Sequence, residues 1–177
     1  QPAIDLGPTL LDFFGKEGTD DMLGKPLGGA IADDTPVRDA AIFGMFGAHV
    51  NVTDGRYVYW RGPAGEDNAP LYEHTLMPTH MKRTFGVEEL RDRTELGEPF
   101  SFTKGCRPMK IDAGGPAHAR RRRRHFPTRL FDLEADPRQQ SPIHDGEVEA
   151  RLIEQMTGLM RECDCPESQF ERLGLPE

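Results

Sequence analysis

The chain has no apolar run near the roughly twenty residues a membrane-crossing helix needs, which argues against a helical membrane span. It is short of core-forming side chains: Leu, Ile, Val and Phe make up about a fifth of it, close to the ~20% below which chains tend not to fold. Cysteine is scarce. Cys106, Cys163 and Cys165 are an odd number, and one residue separates the last two, a poor spacing for pairing with each other. That excludes a disulfide framework and leaves three free thiols as the expectation. Basic charge is also in deficit, 22 Lys and Arg against 30 Asp and Glu, for a net charge of −8. An acidic balance argues against general nucleic-acid binding. What is plentiful is loop chemistry, with 19 Gly and 15 Pro in 177 residues. One domain with long loops and a modest core follows.

Local patterns place the elements. In "AIDLGPTLLDFFG", Asp5 is a capping candidate, Pro8 suits a first helical turn, and Gly15 is a stop. The expected helix runs from Pro8 to Phe14, about two turns, too short to be stable alone. "KEGTDDMLGKPLGGAIADDTP" reads as a surface loop. Strands are expected near 40–46, 48–53 and 56–61, the last two joined at Asp54-Gly55 by a type I′ turn. "LYEHTLMPTHM" is expected to be irregular and packed, "GVEELRDR" a short helix, and "PFSFTKG", "MKI" and "TRLFDLEADP" short strands. From Gly146, the positions Val148, Leu152, Met156, Leu159 and Met160 form one face of an amphipathic helix of about four turns. Phe170, Leu173 and Leu175 should pack back on the body. The sum is α+β: an antiparallel sheet of about four strands, a C-terminal helix against it, and a first helix with no layer of its own to cover.

Three segments carry a family resemblance. "IDLGPTLLDFFG" followed by "MLGKPL" resembles the segment closing the large domain of sulfatases, with Pro26 where a serine is usual. "DGRYVYWR" and "RLFDLEADPRQQSPI" resemble two later segments, in the family's order, so that the likeness spans residues 4 to about 144. Sulfatases belong to the alkaline phosphatase superfamily. The resemblance implies that residues 1–36 end the large α/β domain and that 37–177 form the smaller C-terminal subdomain. It implies a missing N-terminal catalytic domain as partner, a sulfated small molecule or glycan as substrate, and calcium and a formylglycine in the parent enzyme. A phosphodiesterase or phosphonate hydrolase of the same superfamily is the alternative parent.

The reaction centre itself is not expected here. "CRPMK" at Cys106–Lys110 has the Cys and Pro of a formylglycine motif, but Lys110 replaces its arginine, and the segment lies in the wrong half. No Asp-Asp pair at the start of a strand and no "DNG" or "DHG" metal segment appears; Asp20-Asp21 and Asp33-Asp34 lie in Gly-rich loops and read as solvated charge. The chain alone is expected to be catalytically silent, with no catalytic, metal or cofactor residue of its own. It is expected to form the substrate-binding rim through His49, set between small residues, Lys104 as a point charge for an anion, and His74 and His80 flanking the apolar "TLMPT". Arg120, Arg121, Arg122, Arg123 and Arg124 form a basic block. It reads as a solvated loop or as a contact for a polyanion, the latter being the second, non-enzymatic hypothesis. No nucleic-acid or membrane partner is expected. Self-association through an apolar face around Leu10, Leu11 and Phe14 is expected, and the compartment is left open.

Overall fold

The alternating residues around Val50 and Val52 form the middle of a sheet in the computed structural model, which describes residues 2–77, 79–80, 83–113 and 126–176. Strands β1 (Ala41–Gly44), β2 (Val50–Thr53) and β3 (Tyr57–Arg61) pair antiparallel in sequence order. A distant strand, β7 (Arg129–Asp132), closes the far edge. Val52 faces Tyr59, and Tyr59 faces Leu130, so all three lie on one side of the sheet. Helix α4 (Gly146–Glu162) covers that side with Leu152, Met156 and Met160. Helix α5 (Glu167–Leu173) adds Phe170 and Leu173, and Leu175 follows. Each such buried side chain contributes roughly 1.5–3 kcal/mol of transfer free energy. Helix α4 starts sharply because the Asp145 carboxylate accepts the Glu147 and Val148 N–H groups, both at 3.1 Å.

A second antiparallel sheet was not anticipated. Its order is β4 (Tyr72–Thr75), β6 (Met109–Asp112), β5 (Thr94–Leu96). The start of the segment expected to be irregular, Tyr72–Thr75, is therefore strand β4, because β6 supplies its ladder partners. "PFSFTKG" is not a strand. It folds as a 3₁₀ turn at Ser101–Thr103, where the Thr103 hydroxyl donates to the Phe100 carbonyl at 2.9 Å and the Asp164 carboxylate accepts the Ser101 N–H at 2.6 Å. Side-chain bonds to the backbone outcompete a ladder there. The β2–β3 connection is also not a type I′ turn. Gly55 alone takes a left-handed φ, +95°, while Asp54 accepts the Arg56 and Tyr57 amides through one carboxylate oxygen. Two short helices complete the described residues: α2 (Gly28–Asp33), inside the expected loop, and α3 (Val87–Asp92), as expected.

The first helix, α1 (Pro2–Phe13), is longer than expected and holds Pro8 in its interior. Asp5 is not its cap. It is buried, and Arg38 grips its carboxylate in bidentate fashion, with Nη1 to Oδ2 at 2.8 Å; the Lys25 N–H adds a bond at 2.9 Å. The Arg38 guanidinium holds the Asp5 pKa down at about 2. Pro8 offers no N–H to the Ile4 carbonyl, and Gly24 presses against that carbonyl. A Cβ on residue 24 would stand 1.9 Å from the Ile4 oxygen. Thus α1 turns Asp5, Pro8 and Thr9 toward its own following segment. Leu6, Leu10, Phe13 and the adjoining Phe14, spaced as one helical stripe, remain exposed.

Candidate functional site

A cleft of about 790 Å³ opens at the seam of the two sheets. The β1–β2 connection and the ends of both strands form one wall, β4 with Thr79, His80 and Phe85 a second, and α5 with the preceding Pro166 the third. That volume is in the usual range of small-molecule sites. Three of the expected rim histidines, His49, His74 and His80, line it.

His49 sits just before β2. Its Nε2 is 3.0 Å from the Pro127 carbonyl, and its ring lies 5.1 Å from Phe126 and 5.5 Å from Trp60. Donation from Nε2–H leaves Nδ1 as an acceptor. His74 belongs to β4, where it faces Lys110 of β6 and meets the Phe100 ring edge-on at 5.2 Å. Burial pushes both imidazoles below their ordinary pKa; for His74 the positive charge of Lys110 adds to the effect. His80 is held differently, its Nε2 2.7 Å from Glu89 Oε1 and its Nδ1 3.7 Å from Glu73 Oε2, against the Phe85 ring at 4.3 Å.

Because the folded pKa values of His49 and His74 lie below the unfolded value of about 6.5, the unfolded chain protonates first as pH falls. The stability these neutral rings provide is complete above about pH 6.5 and is lost as pH drops through their folded pKa values. Urea midpoints measured on both sides of that value should fall in acid. The acid loss should shrink when His49 and His74 are both changed to Gln; an unchanged loss would show that other groups cause it.

Lys104 lies apart. It is 74% exposed, does not line the cleft, and pairs through Nζ with Asp21 at 2.9 Å, which raises its pKa. Cys106 is exposed and also off the cleft. Cys163 and Cys165 are free thiols lining a more apolar neighbouring hollow of about 470 Å³ with His74, Phe100 and Phe102. The Arg120–Arg124 block lies outside the described residues. Among the described residues, no group of three or more His, Cys, Asp or Glu side chains is placed to hold a metal ion. The described residues therefore assemble no donor set for calcium, which takes six to eight oxygens. No helix of the described residues is long and apolar enough to cross a membrane.

Sequence reasoning missed Arg172. It is 2% exposed on α5 and lines the cleft. Its Nε donates to Gln169 Oε1 at 2.9 Å, and its Nη1 to Asn68 Oδ1 at 2.8 Å and the Ala48 carbonyl at 3.2 Å. Asn68 in turn donates to the Gly47 carbonyl at 2.8 Å. These bonds fix the β1–β2 connection against α5 and so shape the cleft wall. A lone arginine between Phe170 and Leu173 gave no periodic signal that it would be buried.

No family model and no curated protein sequence matches the chain. Eleven chains among solved structures match it. One is BT4656, solved in complex with its substrate D-glucosamine-2-N,6-O-disulfate. The match covers 93% of this chain at 16% identity, with a TM-score of 0.50. This chain spans 24% of the length of BT4656. The likeness is one of fold: the α+β arrangement described above recurs as about a quarter of a protein that acts on a sulfated sugar.

Proposed function

We propose that this chain is the C-terminal region of a sulfatase-type hydrolase, and that it builds the rim which receives the sugar part of a sulfated substrate. What carries the reading is a coincidence. Three sulfatase-like segments occur in the family's order, and the chain that contains them shares 93% of its length with the fold of BT4656. A shared fold is an analogy for function, so the chemistry of the cleft must agree with it. The cleft offers half-buried imidazoles as hydrogen-bonding edges, apolar and aromatic walls, and a guanidinium.

In this reading residues 1–36 close a large α/β domain, and 37–177 pack beside it. The nucleophile, read as a formylglycine, and the calcium ion belong to that larger domain. This chain's residues bind and orient the sugar and exclude water from one side of it. The bare stripe on α1 is where the larger domain sits.

The test is a comparison of two proteins. The 177-residue chain and the product of the whole open reading frame that contains it are incubated with sulfated monosaccharides, and released sulfate is measured. Release by the longer protein and none by the 177-residue chain is the expected result. Release by the 177-residue chain alone, or phosphate-ester cleavage without sulfate release by the longer protein, would overturn it.

A further inference from the structure

Arg172 carries a charge that no carboxylate among the described residues pairs with. Buried cations are ordinarily paired. Among the described residues, no carboxylate lies within ion-pairing distance of this one, and burial brings its pKa down to about 10. The guanidinium has five N–H donors. Nε and Nη1 are occupied by Gln169, Asn68 and Ala48, and among the described residues Nη2 has no hydrogen-bond partner. The carboxylate that does line the cleft, Glu73, is directed to His80, which Glu89 also contacts.

Two further groups on the same cleft are left with hydrogen-bonding capacity. His74 makes no hydrogen bond to a described residue, although it is half-buried. Gln169 spends its carbonyl oxygen on Arg172, which leaves its amide N–H₂ as a donor. A purely structural arginine would be expected to have its fork filled and its charge matched by the protein. Here one arm of the fork and the charge are matched by no described residue.

We propose that the cleft is an anion subsite, in which the Nη2 arm of Arg172 binds an oxyanion group of a sugar-sized ligand and Gln169 and His74 complete its hydrogen bonds. This inference rests on the reading of the cleft as a substrate rim and adds the chemistry that it selects. The group held is a sulfate or carboxylate that is recognised and not cleaved. Arg172 supplies a planar fork, still charged at neutral pH, suited to such oxygens, and the low-dielectric wall around it strengthens the attraction. A neutral sugar leaves the buried charge unmatched and is discriminated against.

The experiment uses the 177-residue chain labelled with ¹⁵N-arginine and ¹⁵N-histidine. N-acetylglucosamine 6-sulfate, glucuronate, inorganic sulfate and unmodified N-acetylglucosamine are titrated in at constant ionic strength. Saturable shifts of the Arg172 Nε–H and His74 ring signals are expected with the anionic sugars. Inorganic sulfate should give weaker shifts, and N-acetylglucosamine none. The stronger of the first two probes distinguishes sulfate from carboxylate. Arg172→Gln should weaken binding at least tenfold. Should that variant fail to fold, His74→Ala, which removes no hydrogen bond of the fold, should still weaken it several-fold. No movement of the Arg172 and His74 signals, or equal movement with the neutral sugar, overturns the proposal. The sulfate-release assay is scored separately. Release by the longer protein without perturbation of Arg172 sinks the subsite alone, whereas binding at Arg172 without any release sinks the sulfatase reading alone.

Discussion

Changing Leu6, Leu10 and Phe13 together to Gln should convert an associating protein into a monomer without unfolding it. These residues share one face of α1 with Phe14, and all four are exposed, Phe13 at 78%. A contiguous apolar stripe of this kind is uncommon on a monomer and marks a surface meant to be covered. Its burial would contribute on the order of 1.5–3 kcal/mol per large side chain, enough for micromolar self-association when no other partner is present. The inward face of α1 is held independently, through Asp5, Arg38, Lys25 and the contact at Gly24. The substitutions therefore leave the docking of α1 unchanged. Sedimentation velocity across a concentration series should show association for the parent chain and one monomeric species for the triple variant. A monomeric parent at high concentration would remove the reason to place a further domain on this helix.

Leu152→Ala should cost about 2–5 kcal/mol of unfolding free energy. Leu152 is 0% exposed and lies in the cluster that joins α4 to Val52, Tyr59 and Leu130 of the sheet. Its removal takes away transfer free energy and leaves a void that a sheet and two helices cannot close. Against a typical domain stability of 5–15 kcal/mol, that is a large fraction. Leu23→Ala, on an exposed side chain, should change stability by less than about 0.5 kcal/mol. Urea unfolding of the two variants beside the parent measures both. Equal effects would mean that α4 is not seated on the sheet as described. The consequence reaches the cleft, because α5 follows α4 directly and carries Gln169 and Arg172 on its wall.

The core was legible and the cleft was not. Alternation at Val50 and Val52, the helical spacing from Val148 to Met160, and the stop at Gly15 are local rules. Each is set by side-chain period or by permitted φ, so single-sequence reasoning finds them. The same reasoning placed α4 on a sheet, noticed that α1 had nothing to cover, and drew attention to His49, His74 and His80. It misplaced what depends on competition between distant partners. Asp5 had the chemistry of a cap, but Arg38, 33 residues away, offered a stronger bond. "LYEHT" had no alternation of its own and became β4 because β6 was there to pair with it. "PFSFTKG" had strand composition, yet a carboxylate 63 residues on, Asp164, took the Ser101 amide.

By itself, the sequence determined that this protein would be an α+β chain with few thiols, a small sheet under a C-terminal helix, and a leading helix whose apolar stripe faces outward. Periodicity, charge count and turn residues are enough for that, because they act over a few residues at a time. Only the tertiary structure decided that three histidines from separate segments meet on one cleft, that Lys104 does not join them, and that a buried guanidinium stands there without a counter-charge among the described residues. Those facts depend on how two sheets and a terminal helix close on one another, and no local pattern encodes where such surfaces meet.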